Sequence, residues 1–132
     1  MKGFQIVADF YGCVCEDELL FAAAPLAAVC EQACAQAGLT VVARAFHQFG
    51  DELNPGGATG ALVLAESHLA IHTWPELRAA TMDLYVCNLN SDNKERAQLL
   101  YSTLHDVFKP QQVQSQTLQR GDLAQRLASV RL

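Results

Sequence analysis

Short apolar runs crowd the middle of this chain with turn formers between them, and that crowding limits what it can fold into. Thr40 to Phe49 reads as a strand. Gly50 to Gly57 follows as a loop, because Asp51, Glu52, Asn54, Pro55 and two glycines are turn formers. Thr59 to Ala65 is the next strand, with the run Ala61-Leu62-Val63-Leu64, and Leu69 to Thr73 is another. Pro75 breaks that strand, and Ala80 to Cys87 forms one more.

The flanks add helices and two outer strands. Residues 3–11 alternate, with Phe4, Ile6, Ala8 and Phe10 on one side, and Gly12 ends the run. From Asp17 to Ala37 the chain is rich in Ala and Leu, which favours helix. Pro25 divides a first turn from the main helix and suits a position near its start, and Gly38 suits its stop. Asp92 with Glu95 forms a capping box for a second helix. Ala97, Leu100, Tyr101, Leu104, Val107 and Phe108 recur at helical steps behind it. Lys109-Pro110 closes that helix, Gln112 to Leu118 alternates as a last strand, and the tail from Gly121 is frayed or weakly helical.

The order is β-α-β-β-β-β-α-β. It predicts an α+β two-layer sandwich, a mainly antiparallel sheet with two helices on one face. With 132 residues the chain makes a single domain able to bury one core. Each half carries a helix between strands, but no internal repeat is visible.

Charge and cysteines exclude several classes. The formal net charge is −5 and no basic stripe is present, which argues against nucleic acid and against an anionic membrane surface. No apolar stretch is long and uniform enough to span a bilayer. Met1 to Gln5 lacks the apolar run of a signal peptide, and Cys13, Cys15, Cys30, Cys34 and Cys87 make an odd number, so a cytoplasmic protein with reduced thiols is expected. Only 17% of residues are charged, in keeping with some surface being buried between copies.

The segment Glu66-Ser67-His68 stands at the turn between two of the strands. Ser is common in turns, so the plain reading is a turn serine. A sharper one joins Ser67 to His72, a histidine that a strand–turn–strand can bring back toward it, and to Cys87, at the end of an apolar strand. A free cysteine is often just a small buried hydrophobe, which suffices for Cys30 and Cys34. No hydrolase elbow and no glycine-rich phosphate loop is present, so Ser67 is not explained as an ordinary acyl-transfer nucleophile. His68 and His72 fall on one face of a strand, and His47 and Cys87 can be added to them as zinc ligands. Cys13-Val14-Cys15 has the wrong spacing for a common zinc knuckle, and no metal is expected.

Read in full, Ala65-Glu66-Ser67-His68-Leu69-Ala70-Ile71-His72-Thr73-Trp74-Pro75-Glu76 resembles the signature of the small prokaryotic S-adenosylmethionine decarboxylase proenzymes. Phe46-His47-Gln48-Phe49, Thr59-Gly60 and Asp83-Leu84-Tyr85-Val86-Cys87 extend the resemblance over nearly the whole chain. The resemblance implies self-cleavage between Glu66 and Ser67, into a β chain of residues 1–66 and an α chain of residues 67–132. Ser67 becomes a pyruvoyl group, which forms a Schiff base with the substrate amine. The residue matching His72 is the proton acceptor in processing, and Thr59 stands where a Ser usually assists. The residue matching Cys87 protonates the substrate carbon. Phe49, Trp74 and Glu76 match substrate-binding positions. The implied reaction turns S-adenosylmethionine into its decarboxylated form for spermidine synthesis, in a homodimer of processed protomers.

Two departures bear on the substrate. The Gly50–Gly57 loop carries Asp51 and Glu52, and Leu77-Arg78-Ala79 stands where many relatives have Tyr-Gly-Tyr. Some relatives with the same processing motif act on arginine or ornithine, which keeps that alternative open, as does a binding homologue that no longer cuts itself.

Overall fold

The computed structural model describes residues 2–88 and 92–121. In chain order the elements are β1 (Gly3–Tyr11), α1 (Asp17–Phe21), α2 (Ala23–Gln36), β2 (Val41–Gly50), β3 (Pro55–Leu64), β4 (Ser67–Trp74), β5 (Ala79–Cys87), α3 (Lys94–Phe108) and β6 (Gln112–Arg120). A 3-10 turn at Pro75–Leu77 joins β4 to β5. The six strands form one sheet in the order β2-β3-β4-β5-β1-β6, and each of its pairings is antiparallel.

One face of the four inner strands, β3, β4, β5 and β1, is dry. Phe4, Ile6, Ala8 and Phe10 of β1, Leu69 and Ile71 of β4, and Met82, Leu84 and Val86 of β5 are buried with Leu20, Leu26, Leu100, Leu104 and Phe108 of the helices. Cys30 and Cys34 sit in the same core. The alternate residues, His68, Ala70, His72 and Trp74 of β4 among them, point to the other face. Among the described residues no helix covers that second face. The α+β sandwich expected from the sequence is therefore the fold, with three helices in place of two.

The extra helix comes from the break near Pro25. The chain turns at Ala22, in extended backbone, and Pro25 is the third residue of α2. Pro is tolerated there because a first-turn N–H has no intrahelical partner anyway. Gln48 of β2 fills the break: its Nε2 donates to the Phe21 carbonyl at 2.6 Å and its Oε1 accepts from the Ala23 N–H at 2.7 Å. One amide thus caps the end of α1 and the start of α2. At the far end Gly38, with φ +79°, closes α2 in a Schellman motif: its N–H donates to Ala35 O and that of Leu39 to Cys34 O.

Three local expectations change. The loop read as Gly50 to Gly57 is only a tight turn over 51–54, because Pro55 already opens β3. Gly57 of that loop serves strand packing: a Cβ on it would strike the Thr73 carbonyl. The capping box does not form. Asn93 takes the N-cap position without a side-chain cap, and Asp92 Oδ1 instead accepts the Lys94 N–H at 2.9 Å. The last strand runs to Arg120, two residues further than its alternation indicated, and the tail from residue 122 lies outside the described residues.

Candidate active site

The connection between β3 and β4 is two residues, Ala65 and Glu66, closed by the pair Leu64–Ser67. Glu66 has φ 58°, in the left-handed region that a side-chain-bearing residue seldom occupies. The bond that the sequence marks for cleavage therefore starts from a strained residue. Ser67 is the first residue of β4 and not part of the turn. Its side chain is buried, and its Oγ accepts the backbone N–H of Cys87 at 3.3 Å. Cys87 ends β5 and is itself buried. Its carbonyl accepts Asn93 Nδ2 at 2.8 Å, which ties this corner to the start of α3.

His72 is not in that corner. Thr59 and His72 oppose each other in the β3–β4 register, with Thr59 Oγ1 and His72 Nδ1 2.9 Å apart. His72 lies five residues beyond Ser67 on the same straight strand, and at about 3.3 Å per residue that separates them by about 16 Å. It also points to the opposite face. The expectation that a turn returns His72 to Ser67 fails because the turn precedes Ser67 and the strand runs on without a bend.

The remaining candidates gather with His72. Phe49 and Trp74 are 50% and 45% exposed, unusual for large aromatics in a small domain. The Phe49 ring meets His47 edge-on at 4.7 Å. Glu76 is exposed in the Pro75–Leu77 turn. Thr73, which sequence reasoning did not single out, anchors this end. Its buried Oγ1 accepts the Ala58 N–H and donates to the Leu20 carbonyl. The candidates therefore fall into two groups on one sheet: Glu66, Ser67 and Cys87 at one end, and Thr59, His72, Phe49, Trp74 and Glu76 at the other.

His68 was set aside as a zinc ligand and has other partners. Its ring stacks on Tyr85 at 5.7 Å, and its Nε2 is 3.5 Å from Asp83 Oδ2. Gln5 Nε2 donates to Asp83 Oδ1, and Arg120 donates to Gln5 Oε1. This row crosses four strands on the uncovered face. Its signal in the sequence was present but faint, since it needs the register of β1, β4, β5 and β6 together. Among the described residues no cluster of three metal-ligating side chains occurs.

The two departures thought to face substrate are occupied. Asp51 Oδ1 accepts the N–H groups of Leu53 and Asn54, so it shapes the turn. Arg78 reaches away from the site to Cys13, Cys15 and Asp17. Burial pushes three thiols up from 9.0: Cys13 to about 11, Cys30 to about 12 and Cys34 to about 11. Those thiols are structural, and a wide groove between α2 and β2, lined by alanines, Glu31 and Arg44, contains none of the candidate residues.

A family model described as S-adenosylmethionine decarboxylase matches residues 4–121. A protein of Thermoplasma acidophilum named S-adenosylmethionine decarboxylase proenzyme is 34% identical over 121 residues, covering 92% of this chain and 85% of its own length. Proteins of the same name from Acidithiobacillus ferrooxidans and Archaeoglobus fulgidus are 36% and 34% identical, over 92% and 90% of this chain and 84% and 97% of their own. The crystal structure of the adenosylmethionine decarboxylase from Aquifex aeolicus superposes with a TM-score of 0.78 at 31% identity, covering 91% of each chain.

Proposed function

The chain belongs to the S-adenosylmethionine decarboxylase family, and on that premise we propose that it cuts itself at Ser67 and decarboxylates S-adenosylmethionine at a site completed by a second copy. The reaction supplies the aminopropyl donor for spermidine. All five cysteines are free, which suits a reducing compartment, and we read the protein as cytoplasmic.

Cleavage begins with attack of Ser67 Oγ on the Glu66 carbonyl carbon, breaking the Glu66–Ser67 amide and forming an ester. The left-handed backbone of Glu66 and the Cys87 N–H on Ser67 Oγ support this reading, since both hold the hydroxyl and the scissile bond in one fixed turn. Loss of the Ser67 α-proton then eliminates the ester and releases residues 1–66 as the β chain with a free carboxylate; the dehydroalanine left at position 67 takes up water and loses ammonia to become the pyruvoyl group. His72, oriented through Nδ1 by the Thr59 hydroxyl, is the proton acceptor.

The group left at position 67 fits its surroundings: it begins a strand, is shielded from water, and adjoins Cys87. A pyruvoyl group supplies an electron sink that no side chain provides. Cys87 donates a proton to the substrate carbon. Phe49 and Trp74 hold the adenine and the sulfonium on their faces, and Glu76 accepts from the ribose hydroxyls.

The observation that carries the second copy is the separation along β4. A base about 16 Å away, on the other face, cannot take a proton from Ser67 of its own chain. A twofold pairing of two sheets brings opposite ends together, so that Thr59, His72, Phe49, Trp74 and Glu76 of one protomer meet Ser67 and Cys87 of the other. The exposed Phe49 and Trp74 rings at the His72 end support that pairing.

The arginine or ornithine alternative is not favoured. The family match disfavours it, and of Asp51, Glu52 and Arg78, which kept it open, Asp51 and Arg78 are engaged in turn and loop contacts while Glu52 is exposed. The intact Ser67, His72 and Cys87 disfavour a binding homologue that does not cut. Release of labelled carbon dioxide from carboxyl-labelled S-adenosylmethionine, with arginine and ornithine in parallel, tests the reading. Cleaved protein that releases none from the first substrate would contradict it.

A further inference from the structure

Arg78 occupies a left-handed position, φ 46°, where glycine is the easy choice. Every hydrogen-bonding direction it uses is directed at holding one turn. Its N–H donates to the Pro75 carbonyl at 3.0 Å, closing the Pro75–Leu77 turn. Its carbonyl accepts the Cys13 N–H at 2.8 Å. Its Nε donates to Cys13 O at 2.7 Å, its Nη2 to Cys15 O at 2.8 Å, and its Nη1 to Asp17 Oδ1 at 2.8 Å.

Asp17 opens α1, and Leu20 of the same helix takes the Thr73 hydroxyl bond at the other end of the segment. The stretch Trp74 to Leu77 is therefore braced against α1 from both sides, by Thr73 before it and Arg78 after it. Within that stretch Pro75 is buried, while Trp74, Glu76 and Leu77 are exposed. The brace fixes a backbone whose side chains face outward.

We propose that Arg78 is a positioning residue for substrate binding: it locks the Pro75–Leu77 turn onto the loop after β1 and so aims Glu76 and Trp74. This rests on the reading of Glu76 as a ribose acceptor. Arg78 itself does not touch substrate, because its guanidinium is spent on two carbonyls and a carboxylate. The cleavage corner at Ser67 lies at the other end of the sheet and does not depend on the brace within its own protomer.

The test is a double-mutant cycle on the cleaved enzyme. Arg78→Gly keeps the left-handed turn without the guanidinium, and Arg78→Met is the isosteric companion. Either variant is expected to cleave fully and keep kcat within about twofold, while KM for S-adenosylmethionine rises about tenfold, the pattern of lost binding without lost chemistry. In a Glu76→Gln background the same change raises KM by a smaller factor, because the part of the effect that runs through Glu76 is already lost and only the part that runs through Trp74 remains. An unchanged KM in Arg78→Gly, or an undiminished rise in the Glu76→Gln background, overturns the positioning role. A normal KM in Glu76→Gln alone instead overturns the assignment of Glu76.

Discussion

Thr59 Oγ1 and His72 Nδ1 face each other 2.9 Å apart across β3 and β4. The hydroxyl fixes the imidazole's orientation from the strand that also leads into the cleavage turn. Replacing the hydroxyl by a methyl keeps the shape and removes that bond. Thr59→Val should slow self-cleavage by about fivefold, in line with losing one net hydrogen bond of about 1 kcal/mol, whereas Thr59→Ser stays close to the parent. A time course of intact mass after expression of the uncut chain distinguishes them.

The backbone N–H of Cys87 donates to Ser67 Oγ, a bond that does not need the thiol. Cys87→Ala therefore keeps the contact that positions the hydroxyl and should still yield the two chains. Its decarboxylation should fall by about 10²–10⁴, the usual worth of a proton-transfer group. Cleaved Cys87→Ala with normal kcat would remove the thiol from the mechanism.

Trp74 is 45% exposed at the end of β4 and offers a ring face to a sulfonium. Trp74→Ala should raise KM for S-adenosylmethionine by about 2- to 30-fold, as expected for about 0.5–2 kcal/mol of cation–π attraction. The same variant should bind a neutral thioether analogue of the substrate with a smaller loss, measured by competition.

Burial holds the Cys13, Cys30 and Cys34 thiols protonated beyond 9.0, up to about 11 or 12. The unfolded chain gives up those protons near 9.0, so the unfolded state gains as pH rises. The contribution to stability is complete below about pH 9 and is lost as pH climbs toward 11–12. Urea midpoints under reducing conditions should therefore be level from pH 7 to 8.5 and fall above pH 9. A midpoint that rises in that range would contradict the burial of these thiols.

The inner strands and α3 were legible because one face of each is apolar: Phe4, Ile6, Ala8 and Phe10 announce β1, and the helical steps from Ala97 to Phe108 announce α3. Boundaries were less so. Gly57 looks like a loop residue until the strand packed against it is known, and the break at Ala22 depends on Gln48, far away in sequence. The candidate site residues were picked out as types, through the Glu66-to-Glu76 motif. Their arrangement was not, because a motif carries no record of strand direction. Ser67 and His72 look adjacent in sequence, yet a straight strand sets them at opposite ends. Arg78 looked like a charge available to substrate, and only its three side-chain bonds reveal a brace.

The most direct measurement of the shared site is intact mass on two defective chains produced together. Ser67→Ala lacks the nucleophile and His72→Ala lacks the base, so each stays uncut alone. In a mixed dimer the Ser67→Ala chain offers its Thr59 and His72 to Ser67 of the other. The account predicts that His72→Ala chains appear as residues 1–66 and 67–132 only when the Ser67→Ala chain is present, and that the Ser67→Ala chain remains whole. His72→Ala chains that stay uncut in a demonstrated mixed dimer, or that cut fully on their own, would contradict it.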